Sequence, residues 1–437
     1  MSDNARPFEQ DEILPFVRAL LERREDFLAA HREHGSPLYL FDETALRARA
    51  REFAQAFAAT LDRPRIFYAM KSNSHPWIAQ TLLEEGLGLD VSSGRELAAA
   101  LAAGAERIIF SGPGKTPEEL ALAIEHGDRV TVLMDSFGEL ARLGEAAHRG
   151  EAARWGEAAR RGGTTGPANR VLRAGVRLTT DERGLWRKFG IPLERLGEFH
   201  AIAAAQSNLR LTGLQFHTSW NLDPSQQTAF LARLGATLAK TPALAAQLEF
   251  LDIGGGYWPP AGEWLHAPDG SPIAPTSLPV PHYRRPGHPI ALFAERIAAA
   301  LQAHIFPHAR PRIWLEPGRW LSHDSMHLLL RVVDRKAPDL VITDAGTNAI
   351  GWERFESDYF PVINLTHPVL EERPCFILGS LCTPHDVWGY AYWGAGIEEG
   401  DVLLIPSQGA YTYGLRQDFI KPLPECVRLR PASGHAK

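Results

Sequence analysis

Cysteine is scarce: Cys375, Cys382 and Cys426 are the only three in 437 residues, and none sits in a CxxC spacing. An odd, sparse set suits a reduced compartment better than a disulfide framework, so the cytoplasm is the expected location. No run of about 18 apolar residues occurs, and the polar start MSDNARPFEQDE has no apolar signal core, so membrane insertion is not expected. Positive charge is not in excess either. A formal net charge of -6 and a pI near 6.3 leave no broad basic field for nucleic acid, and a small-molecule partner is expected instead. The segment FSGPGKT does not make a nucleotide loop, because the position five before Gly114 is Ile109 and the first glycine is missing. No metal site is expected.

What is present is an ordinary globular composition, with 45% hydrophobic and 22% charged residues. From Ile66 to about Arg319 short apolar, β-rich runs alternate with helical stretches, the pattern of parallel strands joined by crossover helices. The runs are IFYAMK ending at Lys71, GLDVSS at Ser93, IIFSG at Gly112, TVLMDS at Ser136, RVLRAGVRL at Leu178, LTGLQFH at His217, FLDIGGG at Gly256 and RIWLEPGR at Arg319. Eight such units predict an α/β fold, a (β/α)8 barrel; an open doubly wound sheet is the alternative. Beyond Asp324 the segments LLLRVVDR, DLVITDAG, CFILGSLC and DVLLIPSQGAY lack long helices between them and predict a C-terminal β domain. The expected division is an N-terminal segment 1–41 packing on that β domain, a barrel over 42–323 and the β domain over 324–437. The N-terminal segment carries one amphipathic helix around Ile13 to Glu33 and the strand-like PLYLFD. A near-repeat, GEAAHRGEAARWGEAARRGG at 144–163, is expected to be a solvated helical insertion.

Reactive residue types fall at the C-terminal ends of the runs, the face on which barrel enzymes build their sites. Lys71 ends an apolar strand, where desolvation would depress an amine and favour imine formation; a strand-end lysine reaching solvent is the plainer reading. Gly254, Gly255 and Gly256 follow a strand, so that bare backbone N–H groups can approach a phosphate, although a tight turn would also explain them. Glu316 and Arg319 offer an anion for a protonated ring nitrogen and a fork for a phosphate ester, or else a local ion pair. His217 is placed to stack on a flat ring, with a satisfied core histidine as the alternative.

Taken in order, YAMKSN, GLDVSSGREL, KFGI at Lys188 to Ile191, DIGGG, EPGR, LCTPHD and GAY resemble the pyridoxal-phosphate decarboxylases that include diaminopimelate, ornithine and arginine decarboxylases, whose barrel is shared with alanine racemase. The resemblance runs from Pro37 to Gly414. It implies pyridoxal 5'-phosphate as cofactor and Lys71 as its Schiff-base residue, with Asp90 and Glu96 nearby and His217 on the ring. It also implies that Glu316 meets the ring nitrogen, while Gly254 to Gly256, Arg319 and Tyr411 hold the phosphate. In that family a second subunit lends a cysteine, here Cys382, so a homodimer with shared sites is implied, with Asp386 four residues after the cysteine.

Three departures stand out. Relatives read HxGS where this chain reads HTSW, so Trp220 replaces a phosphate-binding serine and Ser219 or Asn221 would have to substitute. Thr383 stands where the family carries an acid that meets a substrate amino group, leaving Asp386 as the other anion in reach. The segment DAGTNAIGWERFESDY lacks the arginine-proline pair of diaminopimelate decarboxylases. The stretch around Cys382 supplies His385, Trp388 and Tyr390, with Trp352 and Arg354 before it, a mixture suited to a larger, polar or acidic distal group. The expected activity is therefore decarboxylation of an amino acid other than simple ornithine or lysine, with Thr383, Asp386 and Arg354 toward the substrate. Racemisation on the same barrel and a non-catalytic cofactor-binding homologue are the alternatives.

Overall fold

A computed structural model of the chain describes residues 5–160, 171–351 and 357–430. They form two compact units, one of Ala50–Trp258 with Pro289–Gly318, the other of Met1–Arg49, Pro259–His288 and Arg319–Lys437. The first is a closed barrel of eight parallel strands. These are β1 (Arg65–Ala69), β2 (Gly88–Val91), β3 (Ile108–Phe110), β4 (Val130–Met134), β5 (Leu172–Leu178), β6 (Leu209–Phe216), β7 (Phe250–Asp252) and β8 (Arg312–Leu315). β8 pairs with β1 through Trp314 opposite Arg65, which closes the ring and decides against an open sheet. Each run expected from the sequence supplies one strand.

The crossover helices begin where local chemistry starts them. Thr116 and Glu119 form a reciprocal capping box with Pro117 in the first turn, and Ser93 Oγ accepts the Glu96 N–H. Inside the barrel Phe67, Ile109, Leu133, Phe250 and Trp314 make a buried cluster, with Phe250 and Trp314 stacked at 3.8 Å. Gly213 makes room for it, since a Cβ there would lie 2.0 Å from Phe250 Cζ. The helix Phe137–Arg160 runs through most of the repetitive 144–163 segment, and 161–163 lie outside the described residues.

The second unit contains an eight-stranded sheet. Leu38–Phe41, the PLYLFD segment, pairs antiparallel with Met326–Leu329 and parallel with Glu425–Arg428, joining the N-terminal segment to the β domain. The single N-terminal helix expected from periodicity is two, Gln10–Glu22 and Arg24–His34. The chain breaks at Arg23, whose guanidinium pairs with Asp42 at 2.6 Å, and both helices contribute to one core through Val17, Leu20 and Phe27.

The sequence also gave no sign that 259–288 leaves the barrel. Tyr283–Arg285 pairs with Glu263–Leu265 on one side and with Arg6–Pro7 on the other, so this proline-rich stretch belongs with the N-terminal segment. Buried polar side chains hold it there. His282 stacks on Tyr359 at 3.8 Å, and both reach the Glu372 carboxylate.

Candidate active site

Lys71 sits in a 3-10 turn, Met70–Ser72, immediately after β1, with its Nζ 3.5 Å from Asp90 Oδ2 at the end of β2. Asp90 is fully buried and accepts the Ser111 hydroxyl at 2.6 Å. Burial, with repulsion from Glu316 next, raises its pKa, while Lys71 and Ser111 pull the other way. Glu96 opens the helix after β2, and its Oε2 accepts the Ser92 N–H at 2.7 Å. Burial raises its pKa, and it too lies in the field of Asp90 and Lys71.

At the ends of β6, β7 and β8 the backbone is drawn together too closely for side chains. A Cβ at Gly254 would meet Phe216 O at 2.4 Å, one at Gly255 would meet Glu316 O at 2.2 Å, and one at Gly256 would meet Thr218 O at 2.1 Å. Gly254 and Gly256 also have φ of +67° and +80°, where a side chain would be strained. Two of the three glycine N–H groups expected to face a phosphate are otherwise engaged. Gly254 N–H donates to Asp252 Oδ1 at 2.8 Å and Gly255 N–H to His217 Nδ1 at 3.1 Å.

That second bond settles the His217 tautomer: Nδ1 is an acceptor, so the ring is neutral with its proton on Nε2. Burial, then the charges of Lys71 and Arg177, hold its pKa well below the usual histidine value. The Glu316 carboxylate, 3.7 Å away, therefore faces a neutral ring rather than an imidazolium. Glu316 is 1% exposed; its Oε2 accepts Gln215 Nε2 at 3.2 Å, and its Oε1 has no hydrogen-bond partner among the described residues. A buried, half-satisfied carboxylate requires a donor. Beside it Asp252 is also fully buried, and burial followed by the Glu316 charge raises its pKa well above the ordinary range.

Sequence reasoning missed Asp252, Gln215, Ser111 and Arg177. Arg177, at the end of β5, is buried over the Phe189 ring at 4.3 Å in the field of Asp135, Glu316, Asp90 and Asp252. Its position at a strand end was the available signal. In HTSW, Asn221 is not a spare phosphate ligand, because its Nδ2 donates to Thr218 Oγ1 at 2.9 Å and its N–H to Gly256 O at 2.9 Å. Trp220 adopts φ +53° and is 60% exposed.

The remaining candidates belong to the second unit. Arg319 lies over the Tyr411 ring at 4.8 Å. Cys382 is exposed on a loop, and Thr383 is half-buried beside it. Asp386 is buried and differently employed. Its Oδ1 accepts Thr347 N–H at 2.7 Å and Thr347 Oγ1–H at 3.0 Å, and its Oδ2 accepts Leu381 N–H at 2.7 Å, so it braces the Cys382 loop. Trp388 and Tyr390 are likewise buried, Trp388 with its Nε1–H on Ala345 O and Tyr390 with its ring against His266, so they pack the unit rather than face a substrate. Trp352 and Arg354 lie outside the described residues. Among the described residues no group of His, Cys, Asp and Glu is arranged to hold a metal ion, and no helix is long and apolar enough to cross a membrane.

A lysine amine beside a buried aspartate, a glycine cradle and an unsatisfied carboxylate oxygen fit pyridoxal phosphate in its aldehyde, phosphate and ring nitrogen. Residues 44–323 match the family described as pyridoxal-dependent decarboxylase, pyridoxal binding domain. The chain belongs to this family. Like its other members, it is a carboxy-lyase that takes pyridoxal 5'-phosphate and acts on an amino acid. Among relatives, diaminopimelate decarboxylase of Methanothermobacter thermautotrophicus is 28% identical over 91% of this chain and 87% of its own length. The likeness extends to fold. Diaminopimelate decarboxylase of Helicobacter pylori, solved with L-lysine, superposes with a TM-score of 0.74 at 23% identity, covering 92% of this chain and 94% of that one. Lysine/ornithine decarboxylase of Vibrio vulnificus, solved with putrescine, gives 0.72 at 21% identity over 94% and 99%. The chain is thus an amino-acid decarboxylase similar to the diaminopimelate decarboxylases.

Proposed function

We propose that this decarboxylase works as a cytoplasmic homodimer with shared sites, and that its substrate is an amino acid whose far end is not a bare primary ammonium. The observation that carries the substrate reading is the loop after Cys382. Thr383 offers only a hydroxyl, and both Asp386 oxygens are taken by Thr347 and Leu381. A half-buried ammonium with no anionic partner costs several kcal/mol, so a loop built for ornithine or lysine would keep a free acid there. A far end that brings its own carboxylate, as in diaminopimelate, or a conjugated group removes that cost.

In this reading Lys71 carries the cofactor, with Asp90 and Glu96 holding the charge around its amine. Neutral His217 would pack on the ring, and Glu316 would meet the ring nitrogen. Gly256, and as the resemblance implies Arg319 and Tyr411, would hold the phosphate. Pyridoxal phosphate, when bound, supplies the electron sink for the pair left behind as carbon dioxide departs. Cys382 of the second subunit returns a proton to the α-carbon.

The test compares kcat/KM for ornithine, lysine, meso-diaminopimelate and larger conjugates on wild type and Thr383→Glu, following carbon dioxide release and product chirality. We expect wild type to favour the carboxylated or conjugated substrates, and the added glutamate to shift preference toward lysine and ornithine. Efficient wild-type turnover of lysine or ornithine, unimproved by the glutamate, overturns the substrate reading. Racemised substrate without carbon dioxide would instead place the chemistry with the racemases.

A further inference from the structure

The opposite end of the barrel holds a second concavity. It measures about 800 Å³ and lies where β1, β4, β5, β6, β7 and β8 begin, entirely within the barrel unit. Its floor is the stacked pair Phe250 and Trp314, the underside of the cluster that plugs the barrel. Arg65 and Arg312 stand two residues before Phe67 and Trp314 on their strands, and side chains two apart share a face, so both arginines follow the plug residues toward the barrel axis. Arg63, Arg173 and Arg310 also line the wall.

Two acids line the same wall, and both are already paired. Glu249 meets Arg173, and Asp62 meets Arg63 at 3.3 Å. Arg65, Arg310 and Arg312 have no carboxylate within ion-pair distance among the described residues; Arg65 lies over the Trp314 ring at 6.0 Å and Arg310 over Phe306 at 5.8 Å. Burial and then the like charges of Arg312 and Arg107 lower the pKa of Arg65. Helix C-termini also gather at this end of a barrel and attract cations, but they form the outer ring, whereas Arg65 and Arg312 face inward. The chain as a whole carries a net charge of -6, so this concentration runs against its general balance.

We infer that the arginine-lined bowl at the N-terminal end of the barrel is a second ligand site, which takes a compact, multiply charged anion of the phosphate class. Guanidinium forks match phosphate oxygens two at a time, and several forks converging on one concavity favour a di- or triphosphate over a single carboxylate. The site lies at the far end of the strands from Lys71 and is independent of the substrate reading above.

The test titrates inorganic pyrophosphate and, separately, ADP into the holoenzyme by calorimetry while the visible absorbance of the bound cofactor is followed. We expect one site per chain, no displacement of cofactor, and affinity that falls steeply as sodium chloride is raised. Tighter binding of ADP than of pyrophosphate means that the floor also holds a base; equal binding means that the phosphates alone are read. Arg65→Gln and Arg312→Gln should each weaken binding by about tenfold or more while leaving decarboxylation without added anion unchanged. Arg65→Lys should recover part of the loss, which guards against a variant that merely folds poorly. No heat at millimolar pyrophosphate, or equal affinity in wild type and both glutamine variants, overturns the proposal.

Discussion

The Gly255 N–H donates to His217 Nδ1 across 3.1 Å, so the imidazole acts as a neutral acceptor, a state favoured first by burial, in a pocket that also holds a lysine and three buried carboxyl groups. The glycine is there because no side chain fits against Glu316 O, so the same close approach that shapes the cradle also brings this N–H to the ring.

That state has a consequence for stability. His217 has a folded-state pKa depressed by burial and by Lys71, so the unfolded chain binds a proton there first as pH falls. Its stabilising contribution is complete above the unfolded value of about 6.5 and is lost as pH drops below it toward the folded pKa. In urea titrations wild type should lose stability between about pH 7 and pH 5, by up to roughly 1.4 kcal/mol per pH unit from this residue. His217→Gln should flatten that slope. His266, whose pKa burial lowers to about 3, keeps its own share in both proteins. Parallel slopes for the two would show that His217 is not held neutral.

Glu316→Gln replaces the half-satisfied carboxylate with an amide that cannot hold a ring nitrogen protonated. Cofactor should remain bound, because Lys71 and the glycine cradle are untouched. The catalytic rate should fall by about 10² to 10³, the loss typical of removing one preorganised electrostatic partner. Near wild-type turnover in this variant would remove Glu316 from the ring nitrogen.

The proposed sharing of sites makes a prediction that neither single variant can make alone. Lys71→Ala should lose the visible absorbance of the bound cofactor and nearly all turnover, and Cys382→Ala should keep the absorbance but release ketone or aldehyde side products. If each site takes Lys71 from one subunit and Cys382 from the other, a mixed dimer has one intact site of two. Random exchange makes half the dimers mixed, so activity should return to about a quarter of wild type. No recovery after exchange, verified by tagged subunits, would place both residues of a site on one chain.

The sequence by itself determined the barrel and the face that carries its chemistry. Eight apolar runs separated by helical stretches specify parallel strands locally, and Lys71, Asp90, His217, the glycine triplet and Glu316 cluster because strand ends in a closed barrel must converge. Tertiary structure decided what those residues are free to do. Whether Asp386 is an available anion or a brace depends in part on the distant Thr347 amide that meets it, and the raised pKa of Asp252 depends on burial and on Glu316 from the neighbouring strand. Nothing local announces either of these partners. The same holds for the 259–288 stretch, which pairs with Arg6 and Pro7, and for Arg65 and Arg312, which become neighbours only because β8 closes on β1. Periodicity encodes the face on which a side chain lies, whereas its protonation and its partners follow from long-range pairing and burial, which are properties of the whole fold.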